Sequence, residues 1–273
     1  MDSDLSFLRK ASNEDLDPLV GYILNAEISE SLSDSDEYKR HHPNHCQYVD
    51  LIDREIRDFG GNTFANAFRS LFDMGHISYE EVVHDVADKL DVKYEKHNSV
   101  EAIEDAILFA VLAKAWPKMT EEERKEFYSV ANLKVDVPGH IPSSVPAIAL
   151  QAAIRMGGFA SYKLAVIVAN AVAKFVLGRG LSIAAGATLT RSIAVFAGPI
   201  GWAITGIWTA IDLAGPAYRV TIPCVIQIAM LRHKYSLSEE QRAKGAAADS
   251  ERLGYQDAER LGYEDSGRIG YHD

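Results

Sequence analysis

Ser192-Ile-Ala-Val-Phe-Ala-Gly-Pro-Ile-Gly-Trp-Ala-Ile-Thr-Gly-Ile-Trp-Thr-Ala-Ile211 is a run of 20 residues without one charged side chain. As a helix it would extend about 30 Å, the thickness of a hydrocarbon core. The run contains no leucine, and Gly198-Pro199 sits near its middle, with Gly201, Gly206 and two threonines diluting it further. A proline removes a helical N–H and glycine disfavours a helix interior, so the stretch reads as an apolar hairpin region hinged at Gly198-Pro199. Trp202 and Trp208 are of the type that anchors at an interface, and the three glycines permit close approach of another helix.

Outward from this run the chain stays apolar, but in shorter pieces. Leu164–Ala173 and Thr221–Leu231 are each about half the length needed to span a bilayer. Glycine and proline punctuate the body at Gly157-Gly158, Gly178-Arg179-Gly180 and Gly215-Pro216. Ala165, Ala169 and Ala173 recur every four residues, a ridge that brings helix backbones close. From His140 to Tyr235 there is one acidic residue, Asp212, against eight basic ones, a net +7. Among the basic residues, Arg155, Lys163, Lys174, Arg179 and Arg191 are spaced to form a rim that meets lipid headgroups or the acidic half of the same chain. Residues 1–139 carry 29 acidic and 15 basic side chains, a net −14, and Ser236 to Asp273 carry 9 and 5, a net −4.

The acidic half is patterned for helices. Ser12-Asn13-Glu14-Asp15 and Ser78-x-x-Glu81 have capping-box spacing, and Ser99 and Thr120 open further helices. A helix is expected from Gln47 to about Phe59, ended by Gly60-Gly61, with Asn62 or Thr63 capping the next. Pro138, Gly139, Pro142 and Pro146 mark the domain boundary. The fold class expected is all-α: an acidic helical head (1–137), an apolar, basic, glycine- and alanine-rich helical body (141–234), and a flexible polar tail (235–273).

Chemistry finds little purchase. The two cysteines, Cys46 and Cys224, are too few for a disulfide framework. Met1-Asp2-Ser3-Asp4 has neither a basic nor an apolar leader region, so no signal peptide is expected. His41-His42-x-x-His45-Cys46 is the one cluster of metal-ligand types, but Pro43 interrupts it and no second ligand pair follows, so it reads as a loop entering a helix. There is no nucleophile elbow, Walker sequence or dinucleotide fingerprint, and the acidic pairs sit at helix starts, where they match the helix dipole. With no such motif, no catalysis or cofactor is expected, and so acidic a chain is a poor nucleic-acid binder.

The tail repeats an eight-residue unit: Glu251-Arg-Leu-Gly-Tyr-Gln-Asp-Ala258, Glu259-Arg-Leu-Gly-Tyr-Glu-Asp-Ser266 and Gly267-Arg-Ile-Gly-Tyr-His-Asp273. Arg252, Arg260 and Arg268, with Tyr255, Tyr263 and Tyr271, recur at fixed spacing and make it a candidate multivalent partner element.

Phe59-Gly-Gly-Asn-Thr-Phe64, His84-Asp-Val-Ala-Asp-Lys-Leu90, the Gly157–Asn170 stretch and Gly198-Pro-Ile-Gly-Trp-Ala-Ile-Thr-Gly206 together resemble the YaaW family of uncharacterised bacterial proteins. The opening Leu8-Arg-Lys-Ala-Ser-Asn-Glu-Asp-Leu16 resembles that family's short N-terminal module. The resemblance covers about residues 5–234 and leaves the tail outside. That family is grouped distantly with ubiquinol–cytochrome c chaperones. The resemblance implies an α-helical, non-enzymatic bacterial protein tied to membranes or to membrane-protein assembly, and it brings no catalytic residues.

Two functions fit the sequence. In the first, the body associates with membranes by conditional insertion of the 192–211 region, at the cytoplasmic periphery of the inner membrane, with Arg191 and Asp212 held at the interfaces. In the second, the body is an ordinary buried core, and the protein is a cytoplasmic interaction or assembly-chaperone protein that holds a partner through its head or tail.

Overall fold

The structure, a computed structural model, describes residues 1–25, 31–68, 77–130, 158–182, 187–212 and 217–238, together with 241, 243–245 and 247; side chains at 31, 61–68, 187–192 and 210–212 are not described. Every regular element among the described residues is helical, so the fold is all-α. A 3-10 helix, Ser3–Lys10, leads into α1 (Asn13–Leu24), and two short helices, α2 (Ser31–Asp34) and α3 (Asp36–His41), follow. After a 3-10 turn at His45–Tyr48 come α4 (Val49–Phe68), α5 (Tyr79–Lys89) and α6 (Val100–Ala115). A further 3-10 turn, Trp116–Lys118, precedes α7 (Glu121–Val130). The body supplies α8 (Gly158–Leu177), α9 (Ala187–Asp212) and α10 (Tyr218–Ser236).

The helix starts follow the capping chemistry of the sequence. Ser12 and Asp15 form a reciprocal capping box, as do Ser78 and Glu81. Ser99 Oγ accepts from Ala102 N–H at 3.3 Å, and Thr120 and Glu123 bond each other's backbone at 3.2 and 2.7 Å. Gly178, at φ 69°, closes α8 in the left-handed conformation that glycine adopts most easily at a helix end.

Two expected breaks are absent. α4 continues through Gly60-Gly61 instead of ending there, and Asn62 and Thr63 lie inside it. The glycine answers a packing need: a Cβ on Gly60 would lie 2.5 Å from Val82 Cγ2 and 2.9 Å from Ile77 Cδ1, so α5 crosses where there is room only for hydrogen. α9 likewise runs unbroken through Gly198-Pro199, with Pro199 inside it, so the 192–211 hairpin hinged there does not form. The cost of an interior proline is about 3 kcal/mol. Phe196, Ile200, Ala203, Ile204 and Ile207 line the inner face of α9 at 5% exposure or less. Burying each large side chain stabilises by about 1.5–3 kcal/mol, so four of them outweigh the missing hydrogen bond. The breaks expected at Gly157 and Gly215-Pro216, and the boundary at Pro138–Pro146, lie outside the described residues.

At the centre is α10, the helix whose residues Val220 to Leu231 are all buried. It is apolar nearly all round, with Thr221 and Gln227 the buried polar exceptions, so it stabilises the fold only by being surrounded. It packs against α8 on one side and against α1, α4, α5 and α6 on the others. Residues of the acidic and of the basic part of the chain thus contribute to one contiguous core.

Where α10 leaves this core, its basic last turn meets acid. Arg232 Nε lies 2.7 Å from Glu104 Oε2 and Arg232 Nη2 is 3.0 Å from the Asp4 carbonyl. His233 Nε2 lies 2.8 Å from Asp105 Oδ1, and Lys234 Nζ is 2.6 Å from both carboxylate oxygens of Asp15. Burial works against the ionised form of Asp15, and the hydrogen bonds from Lys234 and Tyr235 overcome it, so its carboxyl stays below the usual carboxylate range. Part of the positive charge of the body is neutralised by its own chain.

Candidate interaction face

Two large hydrophobic side chains stand exposed among the described residues, and both lie on α8 and α9: Trp202 at 52% and Phe175 at 42%. The seven residues Ala194, Gly198, Gly201, Trp202, Thr205, Gly206 and Thr209 fall on the outer arc of α9 by the 3.6-residue period, opposite the buried stripe of Phe196 and Ile200. A Cβ added at Gly198, Gly201 or Gly206 would meet nothing within 4 Å. These glycines therefore leave open a shallow strip on the surface, with no described neighbour filling it.

The hydroxyls of that strip are already spent. Thr205 Oγ1 donates to the Gly201 carbonyl and Thr209 Oγ1 to the Thr205 carbonyl, each at 2.9 Å. What faces outward is hydrogen, methyl and indole. Trp202 is flanked by Lys118, whose Nζ sits 4.4 Å from the indole centroid in a cation–π contact. At the far end Phe175 and Trp208 pack at 5.3 Å between ring centroids. The C-terminal parts of α8 and α9 thus lie together, and the chain just after α8 turns back on it, Leu181 N–H donating to Asn170 Oδ1 at 3.0 Å.

Three of the five basic rim residues have described side chains. Lys163 is 6% exposed and sits 5.6 Å from the Phe159 ring centroid. Arg179 bonds Asp17 of α1 at 2.6 Å, and Lys174 is exposed beside Phe175. Arg155 lies outside the described residues; Arg191, Ser192 and Ile211 lie on α9 with side chains that are not described. The tail residues Arg252, Tyr255, Arg260, Tyr263, Arg268 and Tyr271 also lie outside them. Phe175 and Lys118, which complete the exposed corner, had no signal in the sequence, since nothing in a uniformly apolar helix marks which side stays bare.

The His41-His42-x-x-His45-Cys46 cluster does not converge as a ligand set. His45 is buried, with Nδ1 2.5 Å from Tyr48 Oη and Nε2 3.6 Å from Asp17. Burial holds its imidazole below the usual histidine range, partly countered by Asp17. The Cys46 thiol donates to the Ala11 carbonyl at 3.2 Å. Among the described residues no three His, Cys, Asp or Glu side chains are placed to hold a metal ion. Cys224 is fully buried, which pushes its thiol up and away from reactivity.

One carboxyl is strongly perturbed. Asp85 on α5 is pushed up to about 7, by burial first and then by Asp88 and Glu81, and its Oδ2 has no hydrogen-bond partner among the described residues. A carboxyl raised in the folded state stabilises the fold fully below its ordinary range, and that contribution is lost as pH rises through about 7. Asp85→Asn is therefore expected to stabilise the protein by roughly 1–2 kcal/mol at pH 8, a value discounted for partial exposure, and by little at pH 4. Urea midpoints at the two pH values check this, and equal shifts at both would show that ionisation of Asp85 is not what the substitution relieves.

One described helix, Gly158–Leu177, is long and apolar enough to cross a membrane by length and composition, and 56% of its apolar window is buried inside the protein. The core helix of a globular protein passes the same test.

A family model described as ubiquinol-cytochrome C chaperone matches residues 44–226. A UPF0174 protein of Helicobacter pylori is 40% identical over 246 residues, covering 88% of this chain and 95% of that protein. A second from the same species is 37% identical over 209 residues, 76% of this chain and 98% of its own. The UPF0174 protein YaaW of Escherichia coli is 31% identical over 249 residues, 87% of this chain and 97% of its own. No solved structure matches. The resemblance read from Phe59–Phe64, His84–Leu90 and the glycine-rich runs holds over nearly the whole length of these relatives, and the chain belongs to the UPF0174 (YaaW) family within the reach of the ubiquinol-cytochrome C chaperone model.

Proposed function

We propose that this protein is a non-catalytic assembly chaperone that receives an apolar helix of a client protein against the bare strip of α9, with Trp202 as its anchor. The observation that carries the reading is the pairing of an exposed tryptophan with three glycines whose Cβ positions are empty. Small residues let a second helix approach closely, and an aromatic side chain at the edge of such a strip is the type that dominates contact energies. The family description, a chaperone, supports a protein partner. In this reading the acidic head, residues 1–137, clamps the last helix of the body, the body, 141–234, carries the docking strip, and the tail repeat adds further weak contacts. The expected location is the cytoplasm.

A second reading has its own support. Trp202, Phe175 and Trp208 beside Lys118 and Lys174 are the aromatic and basic types found where proteins rest on a bilayer. One experiment weighs both. Titration with a lysine-flanked leucine–alanine helical peptide is expected to show binding that Trp202→Ala weakens about tenfold or more. In parallel, flotation with vesicles containing phosphatidylglycerol reads membrane association. Peptide binding without flotation supports the chaperone, flotation lost in Trp202→Ala supports the membrane reading, and neither result would end both.

A further inference from the structure

A separate trough lies along α6 in the acidic half. α6 buries Ile103, Ile107, Leu108, Val111 and Leu112 inward, yet its other face is also apolar, with Ala106, Phe109, Ala110 and Ala113 only partly covered. The chain leaving α5 borders that face. Asp91 takes φ 57°, and Val92 N–H closes back on the Ala87 carbonyl at 2.9 Å, which sets Leu90 and Val92 along one wall. The result is a half-open cavity of about 410 Å³ with Phe109 and the three alanines in its lining. That volume lies in the range of small-ligand sites and well below what a docked helix needs.

The mouth is charged unevenly. Lys93 bonds Asp91 at 2.7 Å, and Lys114, exposed at the end of the alanine row, is close enough for its field to act on the same carboxylate. Asp88 also acts on Lys93, so that ammonium is shared between two carboxylates, and Lys114 is the cation at this end with no ion-pair partner among the described residues. At the other end, nine residues and roughly 13 Å along α6, Asp105 is engaged by His233. The trough is thus apolar along its length and cationic at one end.

We propose that this trough binds a small anionic amphiphile, a free medium-chain carboxylate, with its alkyl chain along Ala106, Phe109, Ala110 and Ala113 and its carboxylate at Lys114 and Lys93. The site is independent of the α9 strip. Calorimetric titration of the full chain with decanoate, below its aggregation concentration, is expected to show saturable one-to-one binding. Decanol and decyltrimethylammonium should bind at least about tenfold more weakly, because they lack the charge the mouth selects. Lys114→Glu should weaken decanoate by a similar factor, Ala110→Phe should abolish binding by filling the trough, and Trp202→Ala should change nothing. Circular dichroism checks that Ala110→Phe folds; should it not, Ala113→Leu replaces it, and Lys114→Glu at an exposed position needs no such safeguard. Equal affinity for decanoate and decanol, an unchanged Lys114→Glu, or binding seen only with phosphatidylglycerol vesicles would overturn the proposal.

Discussion

Arg232→Met is expected to lower the stability of the protein by about 3–5 kcal/mol, because it strands a buried charge. Glu104 is 1% exposed, and its carboxylate has three donors: Arg232 Nε at 2.7 Å, Arg232 Nη2 at 3.1 Å and the Tyr79 hydroxyl at 2.8 Å. Burial pushes the Glu104 carboxyl up, and Arg232 is the main force opposing it. Removing the guanidinium leaves desolvation unopposed, and it also frees the Asp4 carbonyl and the face of Phe7, over which Arg232 lies at 4.7 Å. Methionine restores some apolar contact but none of the hydrogen bonds. Adding Glu104→Gln should recover most of the loss, since a neutral amide keeps the Tyr79 hydrogen bond without a charge to solvate. Urea denaturation of the two single variants and the double variant measures the coupling. If Arg232→Met alone cost under 1 kcal/mol, the pair would be behaving like a surface salt bridge.

This ion pair also explains what the sequence could and could not convey. The charge partition was legible, because it needs only counting, and meeting the acidic half of the same chain was one of its two readings. Which basic residues do so was not legible. Arg155 to Arg191 look like a rim by spacing, whereas the deep partner is Arg232, placed by the end of a helix whose route through the core is set by tertiary packing. Helix starts at Ser12, Ser78, Ser99 and Thr120 are legible, because the capping side chain and its target lie within three residues. The helix ends that Gly60-Gly61 and Gly198-Pro199 suggest do not occur, because propensity is a weak local bias and burial of one apolar face outweighs it. The candidate strip is half legible: the α9 glycines and Trp202 stand out in the sequence, but their exposure depends on which face of α9 the α6 and α8 helices cover.

The glycines of α4 and α9 should respond to the same substitution with opposite sign. Propensity alone predicts that Gly→Ala inside a helix stabilises by about 0.5–1 kcal/mol. At Gly206 nothing lies within 4 Å of the new methyl group, so that gain should appear in full. At Gly60 the methyl group would meet Val82 Cγ2 at 2.5 Å. Val82 is 0% exposed and β-branched, so it has neither space nor a second easy rotamer to give way. Overpacking of this kind costs about 1–3 kcal/mol, which exceeds the propensity gain, and Gly60→Ala is expected to be destabilising by roughly 1–2 kcal/mol. Urea midpoints for the two variants decide this, and stabilisation at Gly60 would mean that α5 can slide away from α4. Gly206→Ala carries a second consequence. If the α9 strip receives a client helix, the added methyl group should weaken binding of the leucine–alanine peptide while raising stability. A variant more stable yet less able to bind is what separates a docking surface from a helix face that is merely exposed.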